Sequence, residues 1–138
     1  MRLEVEKQTP IDKVTEKQLL SAIAGLRSYG PSSFASLTDE HGNYLQVAGG
    51  GVTCMLERRD AVSGRHFRGY KDERSKVFPD GTALVFGGGE IHLAADEWFS
   101  SKEISEVFTA FLHGANWPSS VNWRDMTALL SDGAGPAK

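Results

Sequence analysis

The sequence predicts an α+β fold, a curved antiparallel sheet of five to seven strands with two helices packed on it. Three observations point there. Two widely separated segments, beginning at Thr15 and Ser100, carry complete helix-start signatures. Between them run short alternating stretches of apolar and polar residues, divided by turn-forming residues. No helical segment separates successive strands in that middle region, which favours an antiparallel meander over a parallel sheet.

The elements follow in order. Residues 2–7 alternate, with Leu3 and Val5 on one face, until Thr9-Pro10 ends the strand, since proline has no N–H for a ladder. Thr15 and Gln18 form a capping box, with Val14 and Leu19 as its hydrophobic staple. Leu19, Leu20, Ile23 and Leu26 then recur at helical spacing, and Tyr29-Gly30-Pro31 is the expected stop. An earlier start, with Thr9 as cap and Pro10 in the first turn, also fits. Residues 33–38 and 44–48 read as strands around the turn Glu40-His41-Gly42-Asn43. Residues 52–58 alternate, with Val52, Cys54 and Leu56 on one face, and residues 66–70 alternate around Phe67. Residues 82–86 and 90–94 are two further short strands. Ser100 and Glu103 box the second helix, Phe99 and Ile104 staple it, and Ile104, Val107, Phe108, Phe111 and Leu112 form its apolar stripe up to Gly114.

The chain has 138 residues, the size of one domain. Residues 1–130 are expected to form it, with residues 131–138 a disordered tail. With 15 basic and 18 acidic side chains the net charge is −3, which argues against a general nucleic-acid binder. Apolar runs fall far short of the ~20 residues that span a bilayer, and residues 1–7 hold no apolar leader core. One cysteine, Cys54, excludes an internal disulfide. The expectation is a cytoplasmic protein.

Motif by motif, the residues point away from catalysis. Gly49-Gly50-Gly51 and Gly87-Gly88-Gly89 each lead into a strand, whereas a phosphate-cradling loop leads into a helix N-terminus. They read as hairpin turns that need positive φ. His41, His66, His92 and His113 show no ligand spacing, so no metal is expected, and His92 reads as a solvated strand histidine. Cys54 is in phase with apolar neighbours and reads as a small core residue. Asp96 and Glu97 are adjacent, so on an extended segment they diverge, and they suit the positive end of the following helix.

Charge is unevenly spread. Residues 57–77 hold seven basic side chains against four acidic, net +3, and residues 90–106 hold one basic against five acidic, net −4. Such a dipole either steers a charged partner or belongs to ordinary solvated faces. Residues 117–127 hold Trp117, Trp123 and Arg124, residue types that can anchor interfaces but here read first as packing, since tryptophan is mostly buried on average.

Several pieces taken in order (Tyr44-Leu45-Gln46-Val47-Ala48-Gly49, Glu57-Arg58-Arg59, His66-Phe67-Arg68, the helix after Phe99-Ser100, and Trp123-Arg124-Asp125-Met126-Thr127) resemble the Imm1-like immunity proteins of bacterial polymorphic toxin systems. The resemblance spans roughly residues 34–130. It implies an α+β protein that binds a secreted toxin, often a nuclease or deaminase, and blocks its active site, with no catalysis and no cofactor of its own. The expected partner is the cognate toxin domain, not nucleic acid or membrane, and the expected state a monomer or weak dimer. Candidate contact residues are Tyr44, Gln46, Glu57, Arg59, Arg68, Trp123 and Arg124. A second possibility is a small-molecule binder or enzyme with a pocket between sheet and helices, using Glu57, His66, Arg68 and His92. A third is a subunit that works only in an oligomer.

Overall fold

A computed structural model describes residues 1–131. Strands β1 (Arg2–Val5), β2 (Phe34–Thr38), β3 (Tyr44–Gly50), β4 (Thr53–Asp60), β5 (Arg65–Tyr70) and β8 (Asn122–Asp125) form one antiparallel sheet in the order β1-β2-β3-β4-β5-β8. Strands β6 (Thr82–Phe86) and β7 (Gly89–Leu93) form a separate hairpin. Helices α1 (Glu16–Ala24) and α2 (Ser101–Leu112) pack on one face of the sheet, and a short α3 (Thr127–Ser131) closes the described chain. The fold is the mixed α+β architecture that the sequence predicts.

Both capping boxes form. Thr15 accepts from the Gln18 N–H while the Gln18 side chain accepts from the Thr15 N–H, and Ser100 and Glu103 do the same for α2. Staple residues Val14, Leu19, Phe99 and Ile104 are all buried in one core. Helix α1 ends earlier than expected. Gly25 caps it, its N–H reaching back to the carbonyls of Ser21 and Ala22, and the chain turns before Tyr29. The buried stripe is therefore Leu19, Ile23 and Leu26, while Leu20 is 37% exposed.

The glycines punctuate the sheet, as their context predicts, but Gly49 and Gly50 extend β3 where the strand was expected to stop at Ala48. A Cβ on Gly50 would run into the Leu26 carbonyl, so glycine lets the end of β3 slide under the chain leaving α1. The two-residue turn is then Gly51-Val52. This removes Val52 from the Cys54–Leu56 face and leaves it 74% exposed. Gly87-Gly88 make the β6–β7 turn. Gly87 donates to the Ser33 hydroxyl, which donates to Glu6, docking the hairpin beside β1 and β2.

Alternation divides the strands into two faces. Toward the helices, Leu3, Leu37 and Leu45 stand in register, as do Val5, Ala35, Val47 and Leu56. With Phe108, Ile104, Val107 and the α1 stripe they form the main core. On the opposite face Ala48 and Met55 pack with Leu84, Leu93 and Trp98 in a second core beneath the hairpin. Phe78 stacks on Trp98 with ring centroids 4.4 Å apart.

Two elements were not anticipated. Strand β8 has four residues, too few to show a period, and its pairing with β5 comes from tertiary context. Helix α3 has five residues and includes Ser131, where the tail was expected to begin. The rest of that expected tail, residues 132–138, lies outside the described residues.

Candidate functional site

The sheet face away from the helices gathers most of the candidate residues, and its geometry follows from register. Glu4 faces Ser36, Ser36 faces Gln46, Gln46 faces Glu57, Glu57 faces Arg68, and Arg68 faces Arg124. One polar row thus crosses all six strands. A second row runs Arg2, Thr38, Tyr44, Arg59 and His66. Six of the seven expected contact residues share this face. Trp123 does not: it is one residue out of phase with Arg124, so it points to the helix side and packs on the main core.

The six divide into two groups. Toward β8, Glu57, Arg68 and Arg124 are consumed by an internal ion network. Glu57 Oε2 accepts from Arg68 Nε at 3.0 Å and Nη2 at 2.8 Å. Arg68 Nη1 lies 3.6 Å from Glu97 Oε1. Glu97 Oε2 accepts from Arg124 Nη1 at 2.7 Å, while Asp96 accepts from both Arg124 Nη groups at 3.3 and 3.1 Å. The Arg124 guanidinium also lies 4.3 Å from the Tyr70 ring centroid. Hydrogen bonds to Asp96 and Glu97 raise the Arg124 pKa against the opposing effect of burial. Arg68 and Glu97 are 7% and 3% exposed, so this group is an internal brace.

Toward β2 and β3 the face is open. Tyr44, Gln46 and Arg59 are partly exposed, and none of their side chains makes a hydrogen bond or ion pair among the described residues. Burial and the Glu57 carboxylate raise the Tyr44 phenol pKa, with Arg59 opposing. Beside Gln46 lies a depression of about 270 Å³ lined by Glu4, Glu6, Phe34 and Ser36.

The sequence reading of Asp96 and Glu97 is corrected here. The two carboxylates converge on Arg124 because the chain turns at residues 95–96, and a turn brings together what an extended segment would separate. Part of the charge asymmetry is spent internally: Arg68–Glu97 and Lys71–Glu103, at 3.6 and 3.2 Å, join the positive segment to the negative one. Arg58 was passed over, although it continues the buried Cys54–Leu56 phase.

The groups proposed for a pocket between sheet and helices lie elsewhere. Glu57, His66 and Arg68 are on the sheet face away from the helices, and exposed His92 sits on the hairpin with Glu90 at 2.9 Å. Cys54 is buried, and burial pushes its thiol up to about 12, with Glu103 adding to the effect. It is a protonated core residue, not a thiolate. Among the described residues no group of three His, Cys, Asp or Glu side chains is placed to hold a metal ion. No helix among them is long and apolar enough to cross a membrane.

No family model matches the chain, and no curated protein matches it.

Proposed function

We propose that this protein is an immunity protein that binds a secreted bacterial toxin domain of the nuclease or deaminase type in the cytoplasm and masks its active site. It takes no cofactor and performs no chemistry of its own in this reading. The observation that carries the reading is the patch of Tyr44, Gln46 and Arg59: three adjacent side chains, internally unpaired, on a sheet made rigid by two cores. Tyrosine and arginine are the anchors most enriched at binding hot spots, and a pre-organised sheet loses little entropy on docking. The motif order shared with the Imm1-like proteins supports the same conclusion.

The reading predicts a secreted protein with a C-terminal toxin domain in the adjacent reading frame, and co-expression with that domain is the test. Growth should be restored and a one-to-one complex should elute together. Combining Tyr44→Ala with Arg59→Glu should abolish protection while leaving the fold intact. Toxicity that persists beside a folded chain, with no complex formed, would overturn the reading.

A further inference from the structure

We infer that Arg58 anchors a carboxylate-binding site on the helix side of the sheet, one that takes an aspartate or glutamate side chain of a bound polypeptide. The site borders Tyr44 and Arg59 of the open-face patch, but its assignment does not rest on the toxin reading.

Arg58 stands in the row of Leu3, Leu37 and Leu45, where β1, β2 and β3 supply leucine, and the row continues through Phe67 to Asp125. Three aromatic rings receive its guanidinium: the carbon Cζ is 4.2 Å from the Phe67 ring centroid, 4.7 Å from Trp123 and 5.4 Å from Trp117. Trp117 is fixed in turn by stacking on Phe111, centroids 5.9 Å apart, and by an edge contact with Trp123 at 5.1 Å. Rings hold a cation by their faces but accept none of the in-plane N–H bonds of the guanidinium.

Those bonds are unmade. Among the described residues Arg58 has no carboxylate within ion-pair distance and no hydrogen-bond acceptor, whereas Arg68 and Arg124 each face two carboxylates. Arg58 Nε and its neighbour Trp123 Nε1 are both buried without an acceptor. Buried donors are almost always satisfied, and Arg58 joins such an orphan donor to a cavity that an acceptor can enter. Arg58 lines a cavity of about 190 Å³ with Tyr44, Arg59, Asp60, Phe111 and Trp117. A stacked guanidinium with its fork unused is the arrangement that takes a planar carboxylate in two parallel bonds.

Local charge selects the class of anion. Arg58 and Arg59 against Asp60 leave a net +1, and the Asp60 carboxylate accepts from the Ser63 hydroxyl at 2.6 Å. A monoanion neutralises this site. A phosphate dianion would overcharge it and face Asp60. Burial lowers the Arg58 pKa, with the Asp60 charge opposing it.

The test is a titration of the full ¹⁵N-labelled chain with acetate and with N-acetyl-aspartate α-methylamide, against sodium chloride at matched ionic strength. The Arg58 Nε–H and the Trp117 and Trp123 indole N–H signals should shift and saturate with both carboxylates and not with chloride. Trp98, which lies in the second core, should stay still. Arg58→Lys should weaken acetate binding about tenfold, because an ammonium cannot stack and fork. If that variant does not fold, Arg59→Gln, which leaves the lining neutral, should weaken it severalfold. Unsaturating drift, an equal response to chloride, movement of all three indoles together, or tighter saturation by inorganic phosphate would each overturn the assignment.

Discussion

On the helix-covered face of the sheet Leu3, Leu37 and Leu45 meet across three strands, and on the other face their chain neighbours Glu4, Ser36 and Gln46 do the same. The two rows share a backbone and differ by one residue of phase. The first is fully buried and held by packing that no polar group interrupts until Arg58. The second passes from open to buried along its length, and where it is buried it is held by charge: Glu57, Arg68, Glu97 and Arg124 brace β4, β5, β8 and the turn before α2. The two arginines Arg58 and Arg68 show the contrast at single-residue scale. One sits among rings with its donors unused, and the other sits among carboxylates with its donors met. Burial alone therefore does not mark a structural residue. What separates brace from binding site is whether the polar atoms already have partners.

The sharpest way to break this comparison is to delete matched groups from the two faces. Leu45→Ala removes a fully buried side chain from the main core and should cost about 2–5 kcal/mol, read as a lower urea midpoint with unchanged slope. Glu97→Ala should cost about 2–3 kcal/mol, because it strips Arg124 of one partner and leaves the Ala94 N–H without its acceptor. It falls below the limit for a broken buried pair because Glu57 and Asp96 remain. If the loss were within 0.5 kcal/mol, a typical surface value, the network would be ornament and not brace.

Much of this architecture was legible in the sequence, for identifiable reasons. The capping boxes at Thr15 and Ser100 are local chemistry, complete within four residues, so they could be read and they form. The alternation of residues 52–58 is long enough to fix a face, and Cys54 and Leu56 do share one, in the main core. The misreadings have a common cause. Strand β8 exists because β5 offers it an edge, Asp96 and Glu97 converge because a turn intervenes, and Val52 leaves the core because Gly50 is needed beneath Leu26. Each depends on a segment distant in sequence, which period and composition do not report. Trp123 packs on the main core, as its residue type favoured, although its face could not be assigned before its strand was known.

Titration separates the two regions more gently. Asp125 sits at the open end of β8, where Thr127 and then Arg65 hold its carboxyl at about 2. Its pKa is lowered on folding, so its contribution is present above the ordinary value near 3.8 and is lost as pH falls from about 4 to about 2. The melting-temperature difference between wild type and Asp125→Asn should shrink over that interval. His92 has the opposite sign: its bond to the Gly81 carbonyl and then the Glu90 charge raise its pKa, so its contribution is present below pH 6.5 and fades as pH rises beyond it. His92→Ala should therefore flatten the stability profile on the alkaline side and leave the acid limb alone.

The smallest expected effect on stability is the most informative about function. Gln46 neighbours Leu45 in β3, yet its side chain faces outward with no partner among the described residues. Gln46→Ala should change stability by less than about 0.5 kcal/mol, the range of ordinary surface substitutions. In the proposed complex the same change removes a contact from the centre of the Tyr44–Arg59 patch and should raise the dissociation constant roughly five- to tenfold, with the loss seen mostly as faster dissociation. Calorimetry on the free chain and surface plasmon resonance on the complex read the two quantities separately. A Gln46→Ala chain that is destabilised as much as Leu45→Ala would show that the open face is not open. One that keeps both stability and affinity would move the interface away from this row.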